Sequence, residues 1–323
     1  MIKKILNEPL YKNSVYLIIN QALMALFGFV FWSFAARTFA SNDIGLATAV
    51  ISAVSIISNL SLLGLNVAIL KYKDKVLNFN ALLVTSLISL VVSVILLLSY
   101  DKLNIGIYFV LFTLFQTIYV ISNSILISQD RQKIVLIKDL AFSVLKVSLV
   151  FVLSGLIGLL WSWFIGILVA LLVSLVFVKL EFKFDISSLH KISAFSFFNY
   201  LSSLLGVLPG LLLPIIIVHY LGGSYSAYFY VAWMIAGLLF VIPGSISSNL
   251  LAVGDLSKLR KALLFSIVLL VLGVVGVFVC GSFVLGLFNP EYITALNLLY
   301  ILALSSIPYG IRTVYNSYFN VLG

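Results

Sequence analysis

Apolar runs longer than about 20 residues recur along this chain, and they dictate what it can fold into. In a bilayer the backbone polar groups have no water to bond, so each crossing segment must satisfy them within a helix. Ten runs are long enough: Ser14–Phe39, Ile44–Leu70, Ala81–Tyr100, Ile105–Ile127, Ile134–Leu153, Leu156–Leu180, Phe195–Leu221, Tyr225–Val253, Ala262–Leu287 and Tyr292–Leu322. Only Ser154-Gly155 divides the fifth run from the sixth. Charge agrees with this reading. Of 323 residues, 9% are charged and 63% hydrophobic, whereas a soluble domain uses roughly 25% charged residues to solvate its surface. The expected fold class is an all-α polytopic membrane protein of ten or so transmembrane helices.

The formal charge of +9 would suit a nucleic-acid partner if it were clustered. It is not clustered. Fifteen of the nineteen Lys and Arg residues fall in every second connection: Lys3, Lys4 and Lys12; Lys71, Lys73 and Lys75; Arg131, Lys133 and Lys138; Lys179, Lys183 and Lys191; Lys258, Arg260 and Lys261. Basic loops stay in the cytoplasm, so no nucleic-acid partner is expected and the N-terminus is expected inside. Arg37 and Lys102 lie in the other connections, and Lys146 and Arg312 lie within runs. The segment 181–194 carries mixed charge with Ile186, Leu189 and Ile192 at helical spacing. It reads as an amphipathic helix on the cytoplasmic surface, linking two halves.

Shifting the chain by 182 residues lays the first run on the seventh without a gap. Asn20-Gln21 then falls on Ser202-Ser203, Arg37 on His219 and Gly45 on Ala227. Repeated halves are common in transporters, whose sites cluster near the repeat interface and the bilayer midplane. The expected division is an N-terminal six-helix lobe over 1–180, the linker over 181–194, and a four-helix C-terminal lobe over 195–323. A six-helix second copy would reach only position 141 of the first (323 − 182 = 141), so the second lobe is expected to be truncated.

The segment Leu63 to Tyr72, the run Tyr228-Phe229-Tyr230 with Ile242-Pro243, and Phe288-Asn289-Pro290-Glu291-Tyr292 with Ile307-Pro308 carry a resemblance. Together they resemble the polysaccharide flippases of the multidrug/oligosaccharidyl-lipid/polysaccharide exporter superfamily. The resemblance implies two six-helix lobes around a central cavity and outward movement of an isoprenoid-linked oligosaccharide across the plasma membrane. It implies membrane lipids and glycan-assembly proteins as further partners. Two other functions stay open: a cation-coupled drug or small-molecule antiporter of the same fold, and a non-transporting scaffold or inactive fragment.

An ionisable residue inside a span is costly, so each is a functional candidate. Lys146 lies about 18 Å into the fifth run, near the midplane of a roughly 30 Å core. Asp139 and Ser143 share its face. In the tenth run Ser305, Tyr309, Arg312 and Asn316 share a face, and a guanidinium offers a planar fork of donors suited to phosphate. Arg37 and His219, related by the repeat, are candidates for an outer gate. Asn59 with Thr48, Ser52 and Ser55, and Asn199 with Ser203, form polar stripes that serve either packing or a substrate path. Gln116, Tyr119 and Asn123 form a third stripe, and Pro209, Pro214, Pro243 and Pro308 are candidate hinges. No cofactor or metal is expected. The two histidines are far apart, there is one cysteine, Cys280, and no zinc-protease or phosphate-loop motif occurs. Nothing points to an enzyme.

Overall fold

A computed structural model describes residues 9–99, 106–253 and 259–322. Among them are eleven α-helices: α1 Pro9–Thr38, α2 Ser41–Ser61, α3 Leu65–Tyr72, α4 Lys75–Ser99, α5 Gly106–Ser128, α6 Gln132–Val150, α7 Gly155–Phe177, α8 Ile186–Leu221, α9 Gly223–Val253, α10 Leu259–Phe288 and α11 Leu296–Leu322. A 3-10 helix, Pro290–Ala295, precedes α11. The protein is therefore all-helical, as its apolar runs require.

Eight of the described helical segments are long and apolar enough to cross a membrane. The ten expected runs exceed this by two for identifiable reasons. Helix α6 carries Lys133, Lys138, Asp139 and Lys146, too many charges for an ordinary span. In α8 several side chains before Leu208 lie outside the described residues, and the apolar stretch Leu208–Leu221 is counted only from there. The second run also divides. Leu63 and Gly64 take left-handed backbone, at φ 49° and 74°, and separate α2 from α3. Gly64 is required there because a Cβ would lie 2.1 Å from the carbonyl oxygen of Ser196. The tenth run begins not as α-helix but as the 3-10 turn. The Asn289 side chain caps that turn by accepting from the Glu291 backbone N–H at 3.2 Å.

The proline positions do not interrupt the helices that hold them. Pro209 and Pro214 lie inside α8, Pro243 inside α9 and Pro308 inside α11. Helix α8 also begins within the segment expected as a separate linker and runs on without a break to Leu221. The side chains of Ile186, Leu189 and Ile192, expected to form the apolar face of that linker, lie outside the described residues.

The chain divides into two units. The first comprises Met1–Phe31 and Leu46–Tyr220, the second Trp32–Gly45 and Leu221–Gly323. In the first, α3, α4 and α5 bury Leu65, Ile69, Leu77, Ala81, Ile121 and Ile125 against one another. In the second, α9, α10 and α11 bury Leu239, Leu270, Val274 and Ala303. Outside these cores large apolar side chains are open. Leu98, Leu175 and Val279 are each at least 74% exposed, a surface that water would penalise and lipid solvates.

The 182-residue shift lines up one pair of helix starts. Ser41, which opens α2, falls on position 223 (41 + 182), where Gly223 opens α9. Within the second unit these two helix starts touch. A Cβ on Gly45 would lie 1.6 Å from the Gly223 carbonyl oxygen, and the Ser41 and Ser224 hydroxyls are 3.1 Å apart.

Candidate functional site

Helix α6 turns three of its four charges inward, while Lys133 is exposed. Gln132, Val135, Lys138, Asp139, Phe142, Ser143, Lys146 and Val150 are buried and recur every three or four residues, forming one face. Lys138, expected in a basic connection, is instead wholly buried in this helix. Its burial has a local cause: Asp139 beside it, and oxygen acceptors on α5, compensate its charge.

Those acceptors are specific. The Lys138 ammonium donates to the Tyr119 carbonyl at 3.1 Å and to the Ser122 hydroxyl at 3.0 Å. It lies 4.0 Å from an Asp139 carboxylate oxygen and 3.9 Å from the centre of the Tyr119 ring. Asp139 accepts from the Tyr119 hydroxyl and from the Asn20 amide, each at 2.7 Å. Helices α1, α5 and α6 are thereby joined by one polar network. A buried pair satisfied in this way is tolerable, whereas either charge alone would be costly.

Lys146 is held differently. Its ammonium lies 4.1 Å from the ring centre of Trp163, 4.6 Å from Phe142 and 5.0 Å from Phe31. Phe31 and Phe142 each meet Trp163 edge to face. A cation is attracted to the negative face of an aromatic ring, by about 2 kcal/mol or more when desolvated. Among the described residues no carboxylate reaches Lys146. The side chain is 3% exposed, so it does not open on solvent here.

The second unit holds the other cationic candidate. Ser305, Tyr309, Arg312 and Asn316 are all exposed along one face of α11. The Tyr309 ring packs against Phe240 of α9 at 4.9 Å, and Phe240 against Trp233 at 6.0 Å. An exposed guanidinium, an amide and a hydroxyl thus stand beside an aromatic row. Such a surface can bond an anion through Arg312 and stack flat rings against the aromatics.

The remaining candidates are not brought into these clusters. Arg37 is in the second unit, where its Nε donates to the Leu287 carbonyl at 2.7 Å. His219 belongs to the first unit and packs its ring against Tyr220. Asn59 donates back to the Ser55 carbonyl on its own helix, and Thr48 and Ser52 on the same helix are buried. The side chains of Asn199 and Ser203 lie outside the described residues. Among the described residues no cluster of His, Cys, Asp or Glu could hold a metal ion.

The arrangement of helices matches transporters of known structure. The chain superposes on an inward-facing multidrug resistance MATE family transporter of the MOP superfamily with a TM-score of 0.61 at 16% identity, covering 96% of this chain and 87% of that one. A MATE structure in the straight conformation gives a TM-score of 0.52 at 16% identity, covering 97% of this chain and 85% of that one. No protein-family model matches the chain, and no curated protein matches its sequence. The chain thus shares the fold of these transporters, and eight of its described helical segments are long and apolar enough to cross a membrane.

Proposed function

We propose that this protein moves an anionic, isoprenoid-linked oligosaccharide outward across the plasma membrane, with its N-terminus in the cytoplasm. The observation that carries the reading is the exposed face of α11, where Tyr309, Arg312 and Asn316 lie open beside Phe240. Lipid would make an exposed arginine on a span expensive, so that face belongs against water and a polar ligand. A pyrophosphate suits the guanidinium, and sugar rings suit the aromatic row. Glycan-assembly proteins are the expected partners on either side of the step.

The multidrug resistance transporter that it resembles in fold favours a second reading, a cation-coupled antiporter. Such a protein needs a buried carboxylate free to take a cation. Asp139 is buried, but Lys138 stands 4.0 Å away and each of its oxygens already accepts a hydrogen bond. Proteoliposomes separate the readings. The lipid-linked glycan should become accessible to an external glycosidase only when the protein is present. Proton- or sodium-driven efflux of a cationic dye, with no glycan movement, would establish the antiporter instead.

A further inference from the structure

Two apolar cavities lie along one seam of the first unit, between α5 and α7. The upper, of about 220 Å³, is lined by Tyr108, Phe112, Trp161 and Phe164 among others. The lower, of about 410 Å³, is lined by Phe115, Ile118, Leu168 and Leu171 among others. Phe164 of the upper meets Phe115 of the lower edge to face at 5.8 Å, so the cavities adjoin. From Tyr108 to Ile125 on α5 is seventeen residues (125 − 108), or about 25 Å of helix.

The geometry points to this seam as a binding site for the hydrocarbon chain of a polyisoprenyl phosphate, an inference that rests on the transport reading above. Length selects the chain. The hydrocarbon core is roughly 30 Å thick, so a phospholipid tail confined to one leaflet reaches about half of it, while the seam runs nearly across. Charge selects the head group. The lower cavity ends at Val178 and Leu180, which flank exposed Lys179, and Lys183 follows it, also exposed. Gln129 fixes this mouth by donating to the Lys179 carbonyl at 2.6 Å and accepting from its amide at 3.2 Å. Arg131 donates to the Phe177 carbonyl beside it. A phosphate at that mouth would meet Lys179 and Lys183, which outnumber the exposed Glu181 between them, and the chain behind it would meet apolar walls. Leu172 and Leu175, at 62% and 74% exposed, leave the lower cavity open sideways for entry from the bilayer.

The test is native mass spectrometry of the full chain released from nanodiscs of phosphatidylcholine with a sugar-free, long-chain polyisoprenyl phosphate. The wild type should retain one such lipid. Ile118→Trp, which fills the lower cavity, should lower retention by about tenfold or more. Lys179→Glu with Lys183→Glu, both in an exposed segment, should do the same and covers the case in which Ile118→Trp fails to fold. Retention unchanged in the double glutamate variant overturns the proposal. So does equal retention of phosphatidylglycerol, which would make an ordinary phospholipid the occupant. The probe's phosphate also suits Arg312, so Arg312→Ala is measured beside it: the seam predicts retention unchanged in that variant, and retention lost there would overturn the seam. Retention without glycan export would overturn the transport reading alone, and export without retention would overturn the seam alone.

Discussion

The ammonium of Lys146 lies 4.1 Å from the ring centre of Trp163, on a buried face that also carries a satisfied Lys138–Asp139 pair. The two cations on α6 are therefore stabilised by different physics: one by oxygen acceptors and a carboxylate, the other by three rings. Replacing Lys146 with Met keeps the length and apolar packing but removes the charge. Lys146→Met is expected to leave membrane abundance unchanged and to lower glycan export, measured in a flippase-deficient host with the protein followed by immunoblot. Trp163→Ala should lower abundance, since truncating a packed tryptophan costs up to about 3–5 kcal/mol.

The Lys138–Asp139 pair gives a sharper stability test. Asp139→Ala strands the buried Lys138 charge and should destabilise the protein by about 3–5 kcal/mol. Lys138→Met with Asp139→Leu removes both charges together and should recover much of that loss. Thermal unfolding in detergent compares them. Equal destabilisation by the single and double changes would mean that the pair does not act as a unit.

The close approach of the α2 and α9 starts should be intolerant of side chains. A Cβ at Gly45 would collide with the Gly223 backbone, so Gly45→Ala is expected to cost about 1–3 kcal/mol through overpacking and to lower abundance. Gly237, on α9, has open space around it. Gly237→Ala should stabilise by about 0.5–1 kcal/mol. Melting temperatures of the two variants should move in opposite directions.

Much of this architecture was legible in the apolar runs, because span length and backbone satisfaction are properties of sequence alone. Lys146 and Arg312 stood out for the same reason: a charge inside a run has no cheap explanation. Lys138 did not stand out. It lies near the start of its run and fits a basic triplet, and only the α5 acceptors at Tyr119 and Ser122 show why it is buried. The aromatic cage was hidden for a related reason. Phe31, Phe142 and Trp163 come from α1, α6 and α7, and no spacing along the chain brings them together. The break at Leu63-Gly64 was legible only as a glycine, since its left-handed backbone and the approach of Ser196 are tertiary facts.

The orientation proposed from the basic connections is open to labelling. With Cys280 replaced by Ser, the single cysteine of Asp74→Cys is expected to resist an impermeant thiol reagent in intact cells. It should react once the membrane is permeabilised. Labelling in intact cells would invert the topology.

The most direct measurement of the central claim is surface glycan export by Arg312 variants at matched membrane abundance. A guanidinium that binds the anionic head group loses its forked geometry in Arg312→Lys and its charge in Arg312→Ala. The account predicts export reduced in Arg312→Lys and reduced further in Arg312→Ala, by about tenfold or more. Export at the wild-type level in Arg312→Ala would contradict it.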